Sequence, residues 1–148
     1  MTLLGANKLN VAVLVDSSTK GVGAVQRLRD NDQLARNGLV EISDFTGTAD
    51  ADVEDLFDRD FYIELVNRAY ASELTKPIGA SELDAKDSRI VGQIEAVFKK
   101  RKISIRFNHY KPASVLLGEQ VSLVPQITTT IARADQLFTW LNSLLPRR

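Results

Sequence analysis

Apolar positions along the chain change period several times. Residues 11–15, VAVLV, form an unbroken β-branched run, the pattern of a strand covered on both faces. The run ends on Asp16 and the polar turn SSTKG. Val22, Val25 and Leu28 then fall at helical spacing, and Asn37-Gly38 is the expected stop. LVEISDF, 39–45, reads as a second buried strand, and TGTADAD as a loop. Asp52 is a good N-cap, with Asp55 three residues on, for a helix or helix pair that carries Val53, Leu56, Phe57, Phe61, Leu65, Val66, Ala69 and Tyr70 to Leu74. Strand, helix, strand, helix with short connections predicts a right-handed parallel βαβ core.

The second half is patterned for helices. Residues 75–87 are a polar loop, and Ser88 is placed to cap a helix with Ile90, Val91, Ile94, Val97 and Phe98 on one face. ISIRF, 103–107, reads as a short edge strand. PASVLLG, 112–118, has proline where a first helical turn accepts it and glycine where a helix stops. A last helix beginning at Pro125 places Ile127, Ile131, Ala134, Phe138, Leu141 and Leu145 at alternating steps of four and three. That spacing is a seam. Most such seams cover their own domain's core, and a homodimer contact is the alternative. The expected fold class is α/β, a parallel sheet flanked by helices with a helical C-terminal part. A chain of 148 residues that is 44% hydrophobic suits one core, and it shows no internal repeat or linker.

Composition removes several chemistries. The chain has no cysteine, which excludes disulfides, thiolate metal sites and cysteine nucleophiles, and its single histidine, His109, excludes a two-histidine zinc site. No apolar stretch is long enough for a membrane span and none reads as a signal peptide, so a cytoplasmic protein with no membrane partner is expected. The net charge of zero conceals two unlike halves: residues 1–87 hold 16 acids and 9 bases, and residues 88–148 hold 3 acids and 10 bases. Nine acids lie between Glu41 and Glu64, and KKRK at 99–102 with Arg106 and Lys111 forms a basic stretch. An acidic cluster beside a basic surface suits a metal site acting on a polyanion. Acids and bases pairing across a solvated surface fit the same charges.

In an open parallel sheet, ligands collect beyond the carboxyl ends of the strands, and Asp16 stands at such an end. Asp44 ends the second run, and Asp50, Asp52 and Glu54 follow. Clustered carboxylates with serine hydroxyls suit Mg²⁺ or Mn²⁺ rather than zinc or copper. Turn formation and dipole complementation suffice for Asp44, Asp55 and Asp58, but an acid that terminates a buried strand needs stronger compensation. Ser18, Thr19 and Lys20 do not complete a haloacid-dehalogenase-type or integrin-type motif, and GVG at 21–23 is not a P-loop.

Read together, LVDSSTKG (14–21), ADVEDLFDRDFYIELVN (51–67) and FNHYKPASVLL (107–117) resemble, in order and character, the TOPRIM domain of the OLD (overcoming lysogenization defect) family of ATPase-linked endonucleases. The resemblance covers residues 10–118, and its most specific part is the acid-x-Glu-Asp-Leu-Phe segment. It implies a TOPRIM-like (Rossmann-like) catalytic domain over 1–118, with residues 119–148 forming a C-terminal helix packed on the same domain. It also implies Mg²⁺- or Mn²⁺-dependent hydrolysis of DNA in phage defence, with ATP used only through a domain outside this chain. Carried over, Asp16, Asp52 and Glu54 are metal ligands, Ser18 a weaker or water-mediated one, and Lys111 contacts the scissile phosphate. Asp16, Glu54 and Lys111 are thus the catalytic set.

Two departures bear on this. Ser18 stands where the family pattern has a second acid, and no strand ending in glutamate precedes Asp16. The chain is therefore expected to be a C-terminal portion of a larger protein, its ATPase domain lying on upstream sequence. The alternative is a degenerate, non-catalytic TOPRIM-like module that binds nucleic acid or a partner through residues 99–111 and the last helix. A phosphatase with Asp16 as nucleophile ranks behind both.

Overall fold

The computed structural model describes residues 12–17, 27, 30, 38–124 and 127–144. Two strands, β1 (Val13–Val15) and β2 (Leu39–Glu41), pair in parallel with Val13 opposite Leu39, Leu14 opposite Val40 and Val15 opposite Glu41. Backbone bonds from Val13 N–H to the Gly38 carbonyl and from Ile42 N–H to the Val15 carbonyl extend the ladder at both ends. Parallel pairing is what two β-branched runs joined by a long connection predict. The helix expected to join them, with Val22, Val25 and Leu28, lies outside the described residues.

The strands are shorter and less covered than their sequence suggests. Leu14 is 36% exposed, so β1 is not buried on both faces. The run 39–45 is strand only to Glu41 and then turns into a short helix, α1 (Ser43–Thr46), that closes on Gly47 at φ 73°, a left-handed conformation suited to glycine. Two local bonds divert it from the ladder: Asp44 Oδ2 accepts Glu41 N–H at 3.1 Å, and the buried Ser17 hydroxyl accepts Ser43 N–H at 2.9 Å.

Beyond a 3₁₀ turn (Val53–Leu56), the chain forms α2 (Arg59–Ala69), a 3₁₀ turn at Ala80–Glu82, α3 (Ile90–Lys100), α4 (Tyr110–Gly118), α5 (Gln120–Leu123) and α6 (Thr128–Ser143). Helix α2 buries Phe61, Tyr62, Leu65 and Val66 against Ile94, Val97 and Phe98 of α3, with Phe107, Leu123 and Ile127 closing the cluster. Burying each such side chain is worth about 1.5–3 kcal/mol. A smaller cluster, Ile42, Ala51, Leu56 and Leu137, joins the strand ends to α6. Mixed α/β and mostly helical, the described residues contain one two-stranded parallel sheet. Among them no helix is long and apolar enough to cross a membrane.

Polar side chains clamp the long loop after α2. The Asn67 amide donates to the Ile78 carbonyl and accepts Ile78 N–H, while the Arg101 guanidinium reaches Glu82 and the carbonyls of Lys76 and Pro77. ISIRF forms no strand. Its alternation survives as half-buried Ile103 and Ile105 and buried Phe107, but no partner strand lies beside it among the described residues, and the Tyr70 hydroxyl instead bridges the N–H and carbonyl of Asn108.

The α6 face is turned from the predicted seam. Ile127 is buried and Leu141 half-buried as expected, yet Ile131 and Phe138 are 46% and 61% exposed. Thr130, Arg133 and Leu137 face inward instead. Thr130 Oγ1 accepts Asp58 N–H at 3.1 Å, and Arg133 donates to the Leu56 carbonyl at 3.2 Å, so polar anchors at the 53–58 turn fix the helix rotation. Pro125 and Leu145 lie outside the described residues.

Candidate functional site

Asp16 follows the last residue of β1 and is exposed. The next residue, Ser17, is fully buried, and its N–H donates to the Ala51 carbonyl at 2.8 Å. This bond sets the strand tip beside the head of the 53–56 turn, so Asp16 and Asp52 each adjoin one end of it in the chain. The turn forms because Asp52 is extended, at φ −101°, while Asp55 reaches back to accept Asp52 N–H at 2.8 Å.

Each predicted acid and base has a definite placement. Asp52 is largely buried, 3.8 Å from the Arg89 guanidinium, which also holds Asp87. The Glu54 carboxylate meets His109 Nδ1 at 2.8 Å. Lys111 bonds Glu73 at 2.7 Å and stands 4.6 Å above the Tyr70 ring. That bond raises the Lys111 ammonium above its usual value and lowers the Glu73 carboxyl, so Lys111 is a fixed positive charge rather than a base. Ser18 lies outside the described residues. The structure thus joins the backbones next to Asp16 and Asp52, pairs Glu54 with His109, and ties Lys111 to Glu73, just beyond α2. Asp44, as its sequence context suggested, serves a turn.

Asp16 and Asp52 offer the hard oxygens that a divalent ion takes, from backbones already joined, and in that respect fit Mg²⁺ or Mn²⁺. Glu54 has one carboxylate oxygen on His109 Nδ1, which leaves its other oxygen as the candidate donor. Among the described residues, no three His, Asp or Glu side chains are grouped as a ready metal site.

Sequence reasoning missed three partners. Arg89 for Asp52 and His109 for Glu54 come from distant elements, with no local spacing to announce them. The third is Asp55, whose second oxygen accepts Ile90 N–H at 2.9 Å and so caps α3 from 35 positions away. Ser88, expected in that role, instead donates its hydroxyl to the Asp50 carbonyl at 2.7 Å.

Burial raises the Asp55 carboxyl above its ordinary 3.8, outweighing the Ile90 and Asp52 N–H bonds that lower it. An acid so raised binds more protons folded than unfolded between 3.8 and its folded value, so its contribution to stability falls as pH rises through that interval. Asp55→Asn cannot titrate. The stability advantage of the wild-type chain over it, followed by urea unfolding at several pH values, is expected to be largest below pH 3.8 and to shrink as pH rises. An advantage that grew with pH would contradict this.

Comparisons of the chain with family models, with curated proteins and with solved structures gave no match.

Proposed function

We propose that the chain is the nuclease portion of a divalent-metal-dependent DNA endonuclease of the TOPRIM type found in OLD-family ATPase–nucleases, with Asp16 and Asp52 as metal ligands. One observation supports this reading: the Ser17 N–H to Ala51 carbonyl bond joins the backbone at the end of β1 to the segment that leads into Asp52 and Glu54, in the order the resemblance implies. A bound Mg²⁺ or Mn²⁺ would supply charge neutralisation on the phosphodiester and an acidified water. The chain's own residues position the substrate. Asp16 is open to solvent, Asp52 is held inward beside Arg89, and Lys111 is kept charged by Glu73 for a phosphate that draws it away.

Mn²⁺ binding followed by electron paramagnetic resonance tests the assignment. Asp16→Ala and Asp52→Ala are each expected to weaken binding at least tenfold with the circular dichroism spectrum unchanged, and the same variants of the whole protein should lose nicking of supercoiled DNA. Mn²⁺ affinity unaltered by both substitutions would rule the ligand assignment out.

A metal-independent nucleic-acid-binding module is the second reading. It is favoured by the engagement of Glu54 with His109 and of Lys111 with Glu73, alongside the exposed Lys99, Lys100, Lys102 and Arg106. It requires DNA binding in EDTA, with a salt dependence that shallows when Lys99 and Lys100 are replaced by alanine.

A further inference from the structure

A cavity of about 170 Å³ lies where the 46–48 turn, the 55–59 segment, the start of α3 and α6 meet. A cavity of about 150 Å³ already admits benzene, and drug-sized sites begin at roughly 300 Å³. Its buried residues are Ile90 and Gln93, and exposed Thr48, Arg59 and Ser88 mark the opening.

Charges of both signs line this cavity without pairing. Arg68, Arg89 and Arg101 each hold a carboxylate, but Arg59 and Arg133 hold none among the described residues. Arg59 donates instead to the Gln93 amide oxygen, and Arg133 spends Nη1 on the carbonyls of Asp55, Leu56 and Phe57. Both are thereby held in place with donors to spare. No nitrogen of half-buried Arg133 is at once unpartnered and closed from solvent, so its unused donors are accessible. Asp58 lines the same cavity, and its carboxylate caps no N–H of α2 and pairs with neither guanidinium. Asp55 differs, because its two oxygens already accept the N–H groups of Asp52 and Ile90.

Unpaired charges drawn partly out of water need compensation, and these three groups together specify it. Two guanidiniums call for an oxyanion. Asp58 calls for a cation. The formal charges of Arg59 and Arg133 balance those of Asp55 and Asp58, so a phosphate would leave the cavity with excess negative charge, whereas a ligand that carries both signs leaves it balanced.

We propose that this cavity binds a free α-amino acid with a short side chain, its carboxylate on Arg59 and Arg133 and its ammonium on Asp58. The site is independent of the nuclease reading and of any metal. A volume close to that which holds benzene suits alanine or serine and leaves no room for an aromatic side chain.

The whole chain, in EDTA and at constant ionic strength, is titrated with alanine, with propionate and ethylamine, which each lack one of its charges, and with inorganic phosphate, followed by amide NMR shifts. Saturable shifts are expected at Thr48, Arg59 and Gln93, with alanine binding at least tenfold more tightly than propionate or ethylamine, the worth of one hydrogen bond to a charged group. Asp58→Asn, which keeps the shape of the side chain, should bring the affinity for alanine down to that for propionate. Arg59→Gln, at an exposed position, should weaken alanine tenfold and keeps the test decisive if Asp58→Asn fails to fold. The proposal is overturned by the lack of saturable shifts at tens of millimolar alanine, by propionate or ethylamine binding as tightly as alanine, or by affinity unaltered in either folded variant. Phosphate binding more tightly than alanine would also overturn it, by marking a simple oxyanion site, and phenylalanine binding as tightly as alanine would overturn the limit on size.

Discussion

Leu137→Asp should cost about 4 kcal/mol or more of folding stability, while Phe138→Asp, one residue further along the same helix, should change it by less than about 0.5 kcal/mol. Leu137 is 5% exposed and packs with Ile42, Ala51 and Leu56, the cluster that ties the strand ends to α6. A carboxylate there loses its water and gains no partner from those apolar neighbours, and the burial of the leucine, worth about 1.5–3 kcal/mol, is lost as well. Phe138 is 61% exposed and a surface substitution by that measure. Urea unfolding of both variants, with the slope checked for constancy, reads the difference. Similar losses in the two variants would mean that α6 is rotated from the orientation described, or that Phe138 is covered by a second copy. Dependence of the loss on protein concentration separates these cases.

That pair of residues also shows what the sequence could and could not reveal. The helix was legible from its spacing, but two rows of positions share Ile127, Ala134 and Leu141 and differ only in which steps are three and which four. The row through Ile131 and Phe138 is the more apolar and is the one that a hydrophobic pattern picks out. What selects the other row is polar: Thr130 and Arg133 satisfy the N–H of Asp58 and the carbonyl of Leu56, groups at a turn far off in the chain. A hydrophobic pattern has no access to that pairing. The same holds for ISIRF, whose period-two alternation persists in its burial although no partner strand lies beside it among the described residues.

The candidate site was legible to the extent that its parts are local. Asp52 and Asp55 stand three apart and form the turn that this spacing predicts, and the parallel alignment of β1 and β2 follows from two apolar β-branched runs. Its long-range wiring was not. Nothing in VEDLFDRD announces that Glu54 will meet His109 or that Asp52 will face Arg89, because neither partner lies within a helical turn of its acid. The basic stretch shows the same limit from the other side: the sequence does not say which of its charges are paired, and the structure spends Arg101 and Lys111 on Glu82 and Glu73 while Lys99, Lys100, Lys102 and Arg106 are exposed.

Asp55→Ala should destabilise the chain by about 2–4 kcal/mol, a large effect for a half-buried acid. Its two oxygens take two different jobs, accepting Asp52 N–H at 2.8 Å and Ile90 N–H at 2.9 Å, so one side chain supplies the opening bond of the 53–56 turn and of α3. Both recipients are buried, which denies water the vacated places, and each stranded amide costs about 1–3 kcal/mol. The desolvation that raises the Asp55 carboxyl offsets part of this, since alanine is spared it, and the lower half of the range is therefore expected near neutral pH. Asp55→Asn keeps one accepting oxygen and should recover about half of the loss. Amide exchange supplies the local readout, with protection at Ile90 falling in the alanine variant before that of Val97 or Phe98 further along α3. Because Asp55 sits between Glu54 and the buried Leu56 in the same turn, its loss should also weaken whatever affinity Asp52 has for a cation, with no ligand removed. A stability within 0.5 kcal/mol of wild type, or uniform exchange along α3, would show that the two helix starts do not depend on this carboxylate.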